Sequence, residues 1–180
     1  RDPRDVALLL DLHRAYVGLA ERAYALVCEA GGLALTPHTY GPRTLGIAKV
    51  DDSIVDELRK AHQPSVWEQW PMRAEIDLIT RSPDGTRYAP EGVADRLLER
   101  YRALGFHAVE AGTYTLHPST QGWRWATRYP GQVLCLEVRR DLLVERYAPF
   151  EEMRVVPAAA DRVAAPLAAE IDAWLARRGA

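Results

Sequence analysis

Glu137 lies near the end of Gln132-Val133-Leu134-Cys135-Leu136-Glu137-Val138-Arg139, a run of strand-forming apolar residues in which a carboxylate is costly to keep. Introduced by Pro130-Gly131, the run reads as a central strand buried on both faces of a parallel sheet. Strand alternation puts Val133, Cys135 and Glu137 on one face and Leu134, Leu136 and Val138 on the other. Two chemistries fit a carboxylate in that position. Held in a dry crevice at the strand's end, it has its pKa raised by desolvation and accepts a proton near neutrality, as a general base does. A buried glutamate can equally be half of an ion pair, with Arg139 or another arginine as partner.

His38 is the second residue with chemistry. Leu33-Ala34-Leu35-Thr36 reads as a short buried strand that runs into the loop Pro37-His38-Thr39-Tyr40-Gly41-Pro42-Arg43. A histidine leaving the carboxyl end of a strand, flanked by hydroxyls and an arginine and fixed by two prolines, is placed to bind a metal or act in a cleft. The plainer alternative is a turn in which it only caps the strand. Gly112 to Trp123, the longest Gly-, Thr- and Ser-rich stretch, reads as a functional loop and carries Tyr114. Glu75 and Asp77, two apart on a strand predicted over Arg73 to Thr80, have acid and base potential but more often such a pair lines a solvated edge. His107 and Glu110 have metal-ligand spacing, yet strand alternation sends them to opposite faces. His13, alone in a helix, reads as a surface or packing residue, and Trp67 and Trp70 as packing.

The elements that must position these groups follow from periodicity. Apolar residues at three- and four-residue steps predict a long amphipathic helix from Arg4 to about Ala30, capped by Asp2-Pro3 and stopped by Gly31-Gly32. Further helices are expected over Asp51 to His62, Pro90 to Leu104 and Ala158 to Arg178, with a helical turn after Arg139 and a strand over Phe106 to Glu110. Strands alternating with helices call for an α/β fold with a mostly parallel central sheet and helices on both faces. At 180 residues the chain has the size of a single domain over 1–180, and its 48% hydrophobic and 27% charged content is that of a globular protein. The net charge of −2 gives no basic surface for nucleic acid, and no apolar run has the length of a membrane span or the layout of a signal peptide. A cytoplasmic protein with free thiols at Cys28 and Cys135 is expected. The chain begins Arg1-Asp2-Pro3 without an initiator methionine, which reads as the carboxyl-terminal part of a longer chain lacking its amino-terminal portion.

In order and spacing, several pieces together resemble the N-formylglutamate amidohydrolase family, zinc hydrolases related in fold to carboxypeptidase A-type metallopeptidases. They are His38-Thr39 at a strand end, Asp77-Leu78-Ile79 followed by Asp84-Gly85-Thr86, the Gly105-Phe106 helix stop, Thr113-Tyr114 to Gln121-Gly122, and Leu136-Glu137-Val138-Arg139-Arg140. The resemblance spans nearly the whole chain and implies a hydrolase-like α/β fold. It also implies cleavage of the amide of an N-formyl or N-acyl amino acid by zinc-activated water. On that likeness His38 is the last of the zinc's protein ligands, Glu137 the base that activates the water, and Tyr114 the substrate-side tyrosine. Arg1 resembles the end of an Asn-Arg pair that clamps a substrate carboxylate. Two departures stand out. The family's aspartate two residues before the ligand histidine is Thr36 here, and the other zinc ligands belong upstream of Arg1, so the zinc site is incomplete in this chain. The alternative is a non-catalytic module on the same fold, with Arg1, Arg43 and Tyr114 binding an acidic small molecule or a peptide carboxylate.

Overall fold

The computed structural model describes residues 2–178, so the expected carboxylate clamp at Arg1 lies outside the described residues. Strands β1 (Ala34–Tyr40), β2 (Ile76–Ile79), β3 (Ala108–Glu110) and β4 (Val133–Arg139) form one sheet in the order β1-β4-β2-β3. The run around Leu134 occupies the interior position that its composition demands. β4 pairs parallel with β1 and antiparallel with β2, while β2 pairs parallel with β3, so the sheet is mixed but mostly parallel.

Helices cover both faces, and the alternation along β4 decides which residue meets which helix. Leu134, Leu136 and Val138 pack with Ile76 and Leu78 under α4 (Val93–Ala103) and α6 (Pro157–Arg178), around Leu97, Tyr101 and Val163. On the other face Val133 and Cys135 pack with Cys28 of α1 (Pro3–Cys28) and Trp125 of α5 (Gln121–Arg128). Two short helices, α2 (Ile54–Ala61) and α3 (Pro64–Trp67), lie in the connection from β1 to β2. Glu170 of α6, only 1% exposed, is clamped by Arg96 and Arg100 of α4 at 2.9 and 3.1 Å, so the α4–α6 layer is joined by charge as well as by apolar burial.

Helix ends follow the signals in the sequence. The Asp2 carboxylate accepts from the Arg4 N–H ahead of Pro3. At the other end of α1, Gly31 at φ 76° bonds back to Cys28 and Gly32 to Val27. Gly105 at φ 84° and Phe106 close α4 by the same pair of bonds, to Arg102 and Tyr101. Both predicted stops are therefore left-handed glycine caps. Cys28 and Cys135 are free and buried, as expected.

Four expectations change. The strand before His38 does not end at Thr36; it continues through Pro37 to Tyr40, because β1 is an edge strand where a missing N–H costs no ladder bond. The stretch from Gly112 to Trp123 is not all loop, since α5 starts at Gln121 with Thr120 as its cap, the hydroxyl accepting from Trp123 N–H at 3.2 Å. Asp77 lies on no solvated edge and is fully buried. Finally, α1 has its expected period but little burial: Leu8, Leu9, Leu10, Leu12, Tyr16 and Leu19 are all exposed, and only Cys28 is fully covered. No helix among the described residues is long and apolar enough to cross a membrane.

Candidate functional site

The pairing of three strands sets a row of polar side chains across the sheet. His38 on β1 is the register partner of Glu137 on β4, and Asp77 on β2 is the partner of Glu137 on its other side. Register partners point to the same face, so a histidine and two carboxylates stand side by side, toward the α1 and α5 layer. The ion-pair alternative for Glu137 is thereby settled against Arg139, which donates to Asp141 at 2.8 Å and Glu75 at 3.3 Å instead.

Each member of the row has a different environment. Asp77 is spent on architecture: one oxygen accepts from Gly112 N–H at 3.0 Å and the other from Thr113 N–H at 2.6 Å. These bonds pin the loop that carries Tyr114. Glu137 has only 12% of its side chain exposed, lies 4.0 Å from His38 Nδ1, and has no hydrogen-bond partner on its Oε2. Burial pushes its pKa above the ordinary 4.5, assisted by Asp77 and opposed by His38, Arg73 and Arg140. Cys135, two residues earlier on the same face, has its thiol pushed up to about 11 by burial and stays a neutral packing group at pH 7. Thr36, which stands where the resembling family has an orienting aspartate, hydrogen-bonds to the Tyr24 hydroxyl of α1.

His38, Glu137, Cys135 and Thr36, but not Asp77, line a cavity of about 410 Å³, a size suited to a small ligand. His38, Glu137 and Tyr114, all singled out from sequence, meet there. Arg43 does not: its guanidinium donates to Trp70 O at 2.6 Å, pairs with Glu68, and lies 5.6 Å from the Trp67 ring centre, so it braces the α3 connection. The arginines that act on Glu137 are Arg73, whose guanidinium lies over the rings of Tyr40 and Tyr114 at 5.0 and 5.4 Å, and Arg140, which donates to Thr39 Oγ1. His117 and Gln121, from the stretch read as a functional loop, complete the wall together with Trp125 of α5 and Tyr24 of α1, which the sequence reading did not place in the site. The one available signal was Thr120, a preferred helix cap three residues before a tryptophan. A wider hollow of about 600 Å³ beside Lys49, Lys60 and Trp70 lies off the polar row and lacks an unpaired buried group.

Among the described residues no three His, Cys, Asp or Glu side chains come together to hold an ion, whereas a catalytic zinc takes three protein ligands. The described donor set does not fit a zinc centre. His107 and Glu110 do not supply one either, because Glu110 is engaged by Arg81 at 3.2 Å and Arg87 at 2.6 Å.

The pinning of the Tyr114 loop gives a testable result. Asp77→Ala removes two hydrogen bonds accepted by a buried carboxylate and frees the amides of Gly112 and Thr113, so it should lower the melting temperature by roughly 4–8 °C, for a loss of about 2 kcal/mol. Amide exchange at Gly112 and Thr113 should accelerate in the same variant. A melt within two degrees of wild type, with exchange unchanged, would show that the loop is held by other contacts.

No protein-family model and no curated protein sequence matches this chain. Among solved structures, the fold is similar to that of N-formylglutamate amidohydrolase from Ralstonia eutropha JMP134. The TM-score is 0.51 at 19% identity, over 93% of this chain and 51% of that one. The chain thus spans about half the length of that structure. At this identity the likeness is one of fold.

Proposed function

We propose that the cavity is the site of a hydrolase that cleaves the amide of an N-formyl or N-acyl amino acid, with Glu137 carrying the proton and Tyr114 on the substrate side. The observation that supports this most is an unpaired carboxylate: Glu137 is nearly buried, yet one of its oxygens has no partner and the other has only His38 at 4.0 Å. Carboxylates kept for architecture are hydrogen-bonded, as Asp77 and Glu170 are here. One held without donors at a cavity, with a raised pKa, is suited to exchange protons with a ligand. Ionised Glu137 takes the proton of a water attacking the amide carbonyl, and the acid so formed returns it to the departing amine. His38, on the neighbouring strand, holds the water or the carbonyl from the other side. The fold likeness to an amidohydrolase supports the class of reaction. For zinc the proposal reduces to His38 as a single nitrogen donor, and no step is assigned to a metal.

The incomplete donor set favours a second reading, a binding module that retains the cavity without turnover. Calorimetric titration with N-acyl amino acids, run with and without a chelator while free amine is followed, separates the two. The hydrolase reading predicts amine release that is lost in Glu137→Gln. Binding unchanged by chelator, with no amine released at saturating ligand, would replace it with the module. Binding abolished by chelator would remove the module reading.

A further inference from the structure

Resting on that reading of the site, we propose that the N-acyl amino acid it binds has an apolar acyl chain and a single carboxylate, in preference to a small acyl group on a dicarboxylic amino acid. The lining joins two kinds of side chain. Glu137 and Gln121 contribute Oε2 and Oε1, both buried acceptors without a partner, which suit the N–H of an amide. With them stand the apolar and aromatic side chains of Tyr16, Ala20 and Tyr24 of α1, Ile79 of β2, Leu116, and Trp125 of α5, which form a wall. That wall is firm: Trp125 and Leu116 are 1% and 2% exposed, and Tyr24 stacks on Trp125 with ring centres 4.7 Å apart.

A formyl group would leave the exposed part of this wall, Tyr16 above all, in contact with water. An acyl chain of several methylenes would cover it and gain the transfer free energy of each. A second carboxylate placed there would lose its hydration against groups that return no charge. Among the described residues lining the cavity there is no arginine or lysine. The guanidiniums around it are engaged elsewhere: Arg73 lies over the rings of Tyr40 and Tyr114 and donates to Gly41 O, Arg140 donates to Thr39 Oγ1, Arg124 lies over the Trp125 ring at 4.9 Å, and Arg128 pairs with Glu21 at 2.7 Å. The substrate's one carboxylate is left for the open mouth.

The test is an equilibrium binding series on the full chain by calorimetry, using N-formyl-, N-butanoyl- and N-hexanoyl-alanine and N-formylglutamate. Affinity should rise about two- to fourfold per added methylene until the wall is filled, with N-formylglutamate binding more weakly than N-hexanoyl-alanine. Tyr16→Ala, at a 59% exposed position that the fold does not depend on, should erase part of the hexanoyl gain and leave the melt unchanged. A flat acyl series, or N-formylglutamate binding at least as tightly as N-hexanoyl-alanine, would overturn the proposal. Because the readout is binding, a hexanoyl preference without amine release upholds this inference while removing the hydrolytic reading. Amine release from N-formylglutamate alongside a flat series does the reverse.

Discussion

Glu137→Gln should reduce turnover by about 10²–10⁴ while leaving the melting temperature at pH 7 unchanged or slightly raised. The substitution keeps the side chain's shape and removes a charge that the protein does not pair. Stability follows from the direction of the pKa shift. A carboxyl whose folded pKa is raised by burial favours the fold in its neutral form, so its ionisation opposes folding. The opposition is absent below the ordinary value of 4.5, grows as pH rises from there through the folded pKa, and is constant above it. The variant's advantage over wild type should therefore be near zero at pH 4 and present at pH 7. Thermal melts across that range measure it. If Glu137 were half of a buried ion pair, the same substitution would strand an arginine and cost on the order of 3–5 kcal/mol, with the loss growing toward neutral pH. A melt lowered by ten degrees at pH 7, with turnover intact, would refute the assignment.

Trp125→Ala should be the most damaging single substitution outside the polar row. The side chain is 1% exposed, stacks on Tyr24 with an interplanar angle of 11°, and has Arg124 over its ring at 4.9 Å. It fills the space between α1, α5 and the Cys135 face of β4, and through Tyr24 it fixes the part of α1 that reaches the site. Truncation of such a residue costs about 3–5 kcal/mol, which for a chain of this size lowers the melt by roughly 6–20 °C. The Tyr24 hydroxyl bond to Thr36 should loosen with it, so amide exchange should rise in the second half of α1 before it rises in α4 or α6. Trp125→Phe, which keeps a stacking face, should recover about half of the loss. A melt shift under about four degrees for Trp125→Ala would mean that α5 is only a cover and that the cavity wall is built otherwise.

How far the residues foretold the site depended on how local the governing physics was. The face that Glu137 shares with Val133 and Cys135 follows from strand periodicity alone, and it placed the carboxylate correctly. The glycine stops at Gly31 and Gly105 were equally local, since only a left-handed residue closes a helix that way. Pro37 misled because its cost depends on whether the strand is interior or at an edge, which is a property of the sheet. The α5 helix was hidden by Gly122, a poor helix former whose lack of a side chain lets α5 approach β4: a Cβ there would meet Cys135 Sγ at 3.0 Å. Asp77 resembled a surface carboxylate because its partners, the amides of Gly112 and Thr113, lie on a different strand's loop. Arg43 was assigned to the cleft from its neighbours in sequence, whereas Glu68 and Trp70 draw it to the far connection. Nothing in the order of residues announces that an arginine is already satisfied.

The central claim is that Glu137 is an unpaired carboxyl whose proton affinity is set by burial. Carbon-13 NMR titration of the glutamate carboxyls, with the Glu137 resonance identified by its absence in Glu137→Gln, measures that affinity directly. The account predicts a midpoint clearly above 4.5, and a shift of that midpoint when an N-acyl amino acid is bound. A midpoint at or below 4.5, unmoved by ligand, would mean that Glu137 is held by a cation and serves the fold rather than the chemistry.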